Sequence, residues 1–120
     1  MEHWNLTEIA TPEGSRSPVV LHSREGERRV VLIGLERGQA LDEHQVKESA
    51  LLLVVDGEVR VEAGDESLDA SPGMLFRFDP NERHSVTSDG GARLLLLLAP
   101  WPGEGHYRGD RDERGVSASS

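Results

Sequence analysis

The 120-residue chain has no cysteine. That excludes disulfides, thiolate nucleophiles and zinc sites built on sulfur, and it agrees with a reducing cytoplasm. Lysine is almost absent: Lys47 is the only one, and the other twelve basic residues are arginines scattered among acidic neighbours. With a net charge of -9 and no basic stripe, a nucleic-acid partner is not expected, and an acidic surface disfavours anionic membranes. Long apolar runs are missing too. Ala50–Val55 and Leu94–Ala99 fall far short of the ~20 residues of a membrane helix. The N-terminal MEHWNLTEIA has neither a basic start nor an apolar core, so no signal peptide is expected. These absences describe a soluble, cytoplasmic protein. Its length suits one domain, able to bury about two-thirds of the unfolded chain's surface.

What is present is a series of short apolar runs between turn signals, with almost nothing that reads as helix. Strands are expected at Trp4–Ile9, Pro18–His22, Arg28–Leu35, Ser49–Asp56, Glu58–Ala63, Met74–Phe78, His84–Ser88 and Arg93–Ala99, with a short one at Ser67–Asp69. Asp56-Gly57 reads as a two-residue hairpin turn. Gly64-Asp65, Ser71-Pro72-Gly73 and Asp89-Gly90-Gly91 are further breaks, and REGERR at 24–29 reads as a solvated hairpin turn. Many short strands at this spacing predict an antiparallel sandwich or barrel over residues 1–102. Residues 103–120 have few core-forming side chains and read as a mobile tail anchored at Trp101 and Tyr107.

Three runs, VVLI at 30–33, LLLVV at 51–55 and LLLLL at 94–98, are apolar at every position. A strand with one wet face alternates. Both faces of these strands therefore need cover, and in a chain this small a second copy is the natural cover for the outer one, which predicts a homodimer.

Two spaced motifs stand in the middle of the chain. Gly38 is followed after five residues by His44, and Gly57 closes that stretch. Gly73 and His84 have a second fixed separation. This resembles the cupins, small jelly-roll barrels whose first motif is G-x5-H-x-H-x3–4-E-x6-G and whose second is G-x5-P-x-G-x2-H-x3-N. Here Val46 takes the second histidine position and Ala50 the glutamate position. In the second motif Asp79 stands at the proline, Asn81 at the glycine and Ser88 at the asparagine position. Asparagine replaces glycine at little cost if that site is left-handed. The resemblance covers residues 38–88. It implies an all-β fold, the antiparallel double-stranded β-helix or jelly-roll barrel, with His44 and His84 facing the lumen near each other.

Cupins hold a metal through two histidines and a glutamate of the first motif and a histidine of the second. Carried over, only His44 and His84 remain. Catalytic transition-metal sites usually have at least three protein donors, so the resemblance implies a metal site that is weak or empty. Glu48 has the strand parity of His44 and Val46; Glu82 and His106 could approach only through loops, and Gln45 is expected to face away. A divalent transition metal, zinc, nickel, manganese or iron, would take His44, His84 and Glu48. Phe76 and Phe78 share parity with Met74 and are expected to line an apolar face near His84, with Arg77 pointing away. An apolar pocket with two histidines at its mouth is the usual make-up of a small-ligand site.

Other chemistry is poorly supported. Ser85 follows His84 directly, so strand geometry sends their side chains to opposite faces. The pairs Asp42-Glu43 and Asp65-Glu66 read as solvated. His3 and His22 read as surface or core-edge residues. There is no nucleophile elbow, P-loop or dinucleotide fingerprint. The first expectation is a cupin that binds a small organic molecule in its lumen through His44, His84, Phe76 and Phe78. The alternative is a metal-dependent dioxygenase or isomerase.

Overall fold

A computed structural model describes residues 1–11, 18–44 and 48–101, with main chain only at 42–44. The expected tail at 103–120, with Tyr107, lies outside the described residues. The described residues contain nine strands: β1 (Val19–Arg24), β2 (Arg28–Leu35), β3 (Ala40–His44), β4 (Ser49–Gly57), β5 (Val59–Ala63), β6 (Glu66–Ala70), β7 (Leu75–Phe78), β8 (His84–Thr87) and β9 (Ala92–Ala99). They form a five-stranded sheet in the order β1-β2-β9-β4-β7 and a four-stranded sheet in the order β3-β8-β5-β6, every pairing antiparallel. Consecutive strands repeatedly change sheet, which winds the chain into a jelly roll. None of the described residues forms a helix long and apolar enough to cross a membrane.

The core lies between the sheets. Val31, Ile33, Leu52, Val54, Leu94 and Leu96 enter it from one side, and Val59, Val61 and Val86 from the other. Alternation decides which residues these are. Along β4, Ala50, Leu52 and Val54 are buried while Leu51, Leu53 and Val55 are half-buried, and β9 repeats the pattern. Each fully buried leucine or valine contributes roughly 1.5–3 kcal/mol.

The uniform apolarity of β2, β4 and β9 belongs to the outer face as well. Val19, Leu32, Leu95, Leu53 and Leu75 form one cross-strand row there. Exposure along it runs from 0% at Leu32 to 61% at Leu75. Leu32 stands outside the inner core cluster, so its cover comes from the outer side. The N-terminal segment passes over that side. The Arg93 guanidinium donates to the carbonyls of Ile9 and Thr7, and a Cβ at Gly34 would lie 2.7 Å from Thr11 Cβ. Glycine is required at 34 because the strap runs directly over it.

Three expectations need correction. Trp4–Ile9 is not a strand. Asn5 Oδ1 accepts from the Thr7 amide at 3.2 Å and the Thr7 hydroxyl at 2.7 Å, and the Glu8 amide donates to the Asn5 carbonyl at 3.0 Å. This local bonding competes with a ladder and makes a turn. Asp56-Gly57 is not a hairpin, because β4 pairs with β7 and β9 whereas β5 pairs with β6 and β8. Gly57, at φ 80°, carries the chain from one sheet to the other. The third is an omission: β3 is a strand although ALDEH is mostly polar. The turns at 24–29, 64–65, 71–73 and 89–91 fall where expected.

Candidate functional site

His84 opens β8 and is 3% exposed. The loop before it places the ring. The Asp79 amide donates to Glu82 Oε1 at 2.9 Å and the Glu82 amide returns to the Asp79 carbonyl at 3.0 Å. Between them Asn81 takes φ 67°, the left-handed conformation that suits asparagine at a glycine position. His84 Nδ1 faces the Glu82 carbonyl at 3.3 Å. A carbonyl can only accept, so in this contact Nδ1 is the donor and the ring's orientation is tied to the loop.

The imidazole stacks on Phe78, with centroids 3.9 Å apart and planes at 3°. Phe78 is buried and Phe76 half-buried, both packed with the core cluster, their rings 6.4 Å apart and nearly parallel. Arg77 points outward and pairs with Asp79, which holds its guanidinium above its ordinary pKa. The strand parity read from the sequence therefore applies to Met74, Phe76, Phe78 and Arg77.

The first-motif histidine sits on the neighbouring strand. The Cα atoms of His44 and His84 are direct partners across β3 and β8, so the two main chains meet at one end of the barrel. The His44 side chain, with Gln45, Val46 and Lys47, lies outside the described residues. Glu48 is 4% exposed and Ala50 0%. Ala50 pairs with Leu98 on one side and Phe78 on the other; it brings a methyl group where the cupin motif has a carboxylate. The described residues hold no cluster of three or more metal-donor side chains. The apolar Val46 and Ala50 do not fit the family's four-donor centre.

Two residues that organise the ends of the barrel carry no functional signal in the sequence motifs. Ser88, at the asparagine position of the second motif, is 2% exposed. Its hydroxyl donates to the Glu58 carbonyl and accepts from the Gly91 amide, both at 2.9 Å. It splices the crossing after β4 to the β8–β9 turn, at the end opposite His84. Arg29 is the second. REGERR reads as solvated in sequence, yet Arg29 is 8% exposed and its Cζ lies 5.0 Å from the centroid of Trp101. The signal that could have found it is its parity with Val31 and Ile33. Two polar-walled grooves lie at the Ser88 end, the larger about 710 Å³ and bordered by Glu58, Arg60, Asp69 and Thr87; neither reaches His84, Phe76 or Phe78.

Two facing antiparallel sheets and the glycine-spaced motifs agree with what the chain is similar to. The cupin-domain family profile matches residues 31–99. That is more than half of the chain, and the chain belongs to the cupin family. Solved structures with the same fold include the TT1209 protein from Thermus thermophilus, 27% identical over 85% of this chain and 100% of that one, TM-score 0.74. An RmlC-like cupin protein from Desulfovibrio desulfuricans is 23% identical over 83% of this chain and 97% of its own, TM-score 0.71. An RmlC-like cupin with a double-stranded β-helix fold from Methanocaldococcus jannaschii is 16% identical over 78% and 89%, TM-score 0.64. No curated protein matches the chain in sequence.

Proposed function

We propose that this cupin binds a small organic molecule at the His84 end of its barrel, with a degenerate metal site and as a cytoplasmic homodimer. The observation that carries the reading is the His84–Phe78 stack. It is a buried imidazole with its orientation fixed by a backbone carbonyl and its face covered by an aromatic ring. Such a pairing of one oriented polar group with apolar surface is what a small-ligand site requires. His44, paired with His84 through the backbone, would supply a second polar contact, and Phe76 would extend the apolar wall. The test is a thermal-shift screen of small organic compounds on the full chain. Compounds that raise the melting temperature should lose most of that effect in His84→Ala. An absence of stabilising compounds, or hits indifferent to His84→Ala, would count against the site.

A second reading, a metal-dependent dioxygenase or isomerase, is favoured by one observation: Glu48 is buried with the inward parity of Ala50. His44, His84 and Glu48 would then be the donors. On the degenerate-site reading, excess Zn²⁺ or Ni²⁺ should raise the melting temperature by only a few degrees, because stabilisation follows RT ln(1 + [L]/Kd) and two or three donors give a poor Kd. Stoichiometric metal that survives dialysis against EDTA would reverse this order of preference.

The dimer rests on the outer face of the five-stranded sheet. Half-buried Leu51, Leu53, Leu95 and Leu97 lead to Leu75, 61% exposed at the sheet edge. Leaving these leucines wet forfeits roughly 1.5–3 kcal/mol for each one a partner would bury. Light scattering at micromolar concentration should give about twice the 13.2 kDa chain mass, and Leu53→Glu should return it to one chain. A wild-type mass of one chain throughout would remove the dimer from the proposal.

A further inference from the structure

We infer that the N-terminal strap forms half of the contact between two copies of this chain, with Trp4 packing on the bare leucines of the partner's sheet. This rests on the dimer reading above and names what each copy brings to it.

The outer face of the five-stranded sheet carries two apolar rows. One runs through Val30, Leu97 and Leu51, the other from Val19 to Leu75. Five strands span about 19 Å and two rows about 14 Å along them, a footprint of roughly 270 Å². A stable dimer buries about 800 Å² on each partner. The leucine rows are too small to hold two copies by themselves. Part of them is also taken already, since Leu32 is 0% exposed. A second copy seated on this face must therefore touch the strap as well.

The strap crosses the β2–β9 side of the face. Thr11 lies against Gly34, and the Thr7 and Ile9 carbonyls accept from Arg93. One guanidinium holding two main-chain carbonyls fixes the path of the strap before any partner arrives, which lowers the ordering cost of association. Leu6 and Ile9 are half-buried, whereas Trp4 is 43% exposed. Three residues separate Trp4 from Thr7, a reach of about 10 Å at most, and Arg93 is two residues from Leu95 on β9. Trp4 therefore stays close to the leucine rows. A large aromatic side chain left partly in water beside an apolar face is the kind of residue that dominates binding once a partner buries it.

The face is self-complementary. Its β2–β9 side is raised by the strap. Its β4–β7 side is bare and ends at Leu75, 61% exposed. A two-fold axis lying between two such faces, parallel to the strands, sets the raised side of each copy on the bare side of the other. Trp4 of each copy then meets Leu53 and Leu75 of the partner subunit. The same contact is made twice, as a closed dimer requires, and this match of raised and bare halves selects a second copy as the occupant.

The chain has two tryptophans, and Trp101 is 3% exposed. Acrylamide quenching of the intrinsic fluorescence therefore reports on Trp4. As the full chain is diluted through its dimer midpoint, followed by sedimentation, quenching should increase. Trp4→Ala should weaken dimerisation at least about tenfold while leaving the melting temperature of the dilute monomer unchanged. In the double variant with Leu75→Ala the losses should be less than additive, because the two side chains share one contact. Unchanged dimer affinity in Trp4→Ala, or quenching indifferent to dilution of a chain that does dimerise, would overturn the role of the strap and leave the dimer reading standing. Strictly additive losses would overturn the pairing of the strap with the bare side. A one-chain mass at every concentration would overturn the inference together with the dimer reading. The quenching measurement uses the unaltered chain and decides the matter even if Trp4→Ala fails to fold.

Discussion

Gly57→Ala should destabilise the barrel by about 3 kcal/mol or more, a loss of more than ~10 °C in melting temperature. Two costs combine. At φ 80° an L-residue pays about 1–2 kcal/mol for the left-handed conformation. The new methyl would also press on backbone: it points at the Gly91 carbonyl oxygen and falls 2.8 Å from Ala92 Cα. Neither atom can move without disturbing the β8–β9 turn that Ser88 holds. Gly38 and Gly73 provide the control. Both have positive φ, 80° and 98°, but no atom lies within 4 Å of an added Cβ, so Ala there should cost only about 1–2 kcal/mol. Urea unfolding of the three variants measures the difference. Similar losses at all three would show that Gly57 is kept for its dihedral and not for the close approach of two turns.

Ala50→Glu should be comparably damaging, and its rescue informative. Ala50 is fully buried between Leu98 and Phe78. A carboxylate there is both too large and uncompensated, and an unpaired buried charge costs about 3–5 kcal/mol. Combined with Val46→His, the same carboxylate completes a four-donor set with His44 and His84. Excess Zn²⁺ or Ni²⁺ should then restore most of the lost melting temperature, since a tight site stabilises the native state in proportion to the logarithm of [L]/Kd. Ala50→Glu alone should recover much less. Equal recovery of the single and double variants would mean that position 46 does not complete the site.

The parts of this fold that can be read from the sequence are those where burial dictates residue type. Arg28–Leu35 is legible with its bounds unchanged, and the strands at β4, β7, β8 and β9 within a residue or two, because alternating or continuous apolarity leaves few alternatives. β3 escapes because ALDEH has a single large apolar residue; its strand character comes from pairing with β8, a property of the partner. Trp4–Ile9 misleads for the opposite reason, being apolar enough for a strand yet held in a turn by the Asn5 side chain. Asp56-Gly57 supplies the dihedral of a turn but not its destination, since a positive φ bends the chain without choosing which strand follows. At the site, the parity of Phe76 and Phe78 is legible and the stacking of Phe78 on His84 is not, because that contact joins two sheets. Arg29 shows how composition can hide position: five charged residues around one glycine look solvated, although strand parity already sets Arg29 beside Val31.

The strap held by Arg93 has a consequence for how the barrel forms. Its bonds join residues 84 and 86 positions apart, and β9, the last of the described strands, lies at the centre of the five-stranded sheet between β2 and β4. A chain emerging from the ribosome has its outer strands before the strand that unites them. No N-terminal portion can assemble this sheet, and its apolar strands must wait with their edges open until β9 arrives. Contacts of such sequence separation make folding slow, and the waiting strands are the kind of exposed apolar edge on which chaperones and aggregation compete.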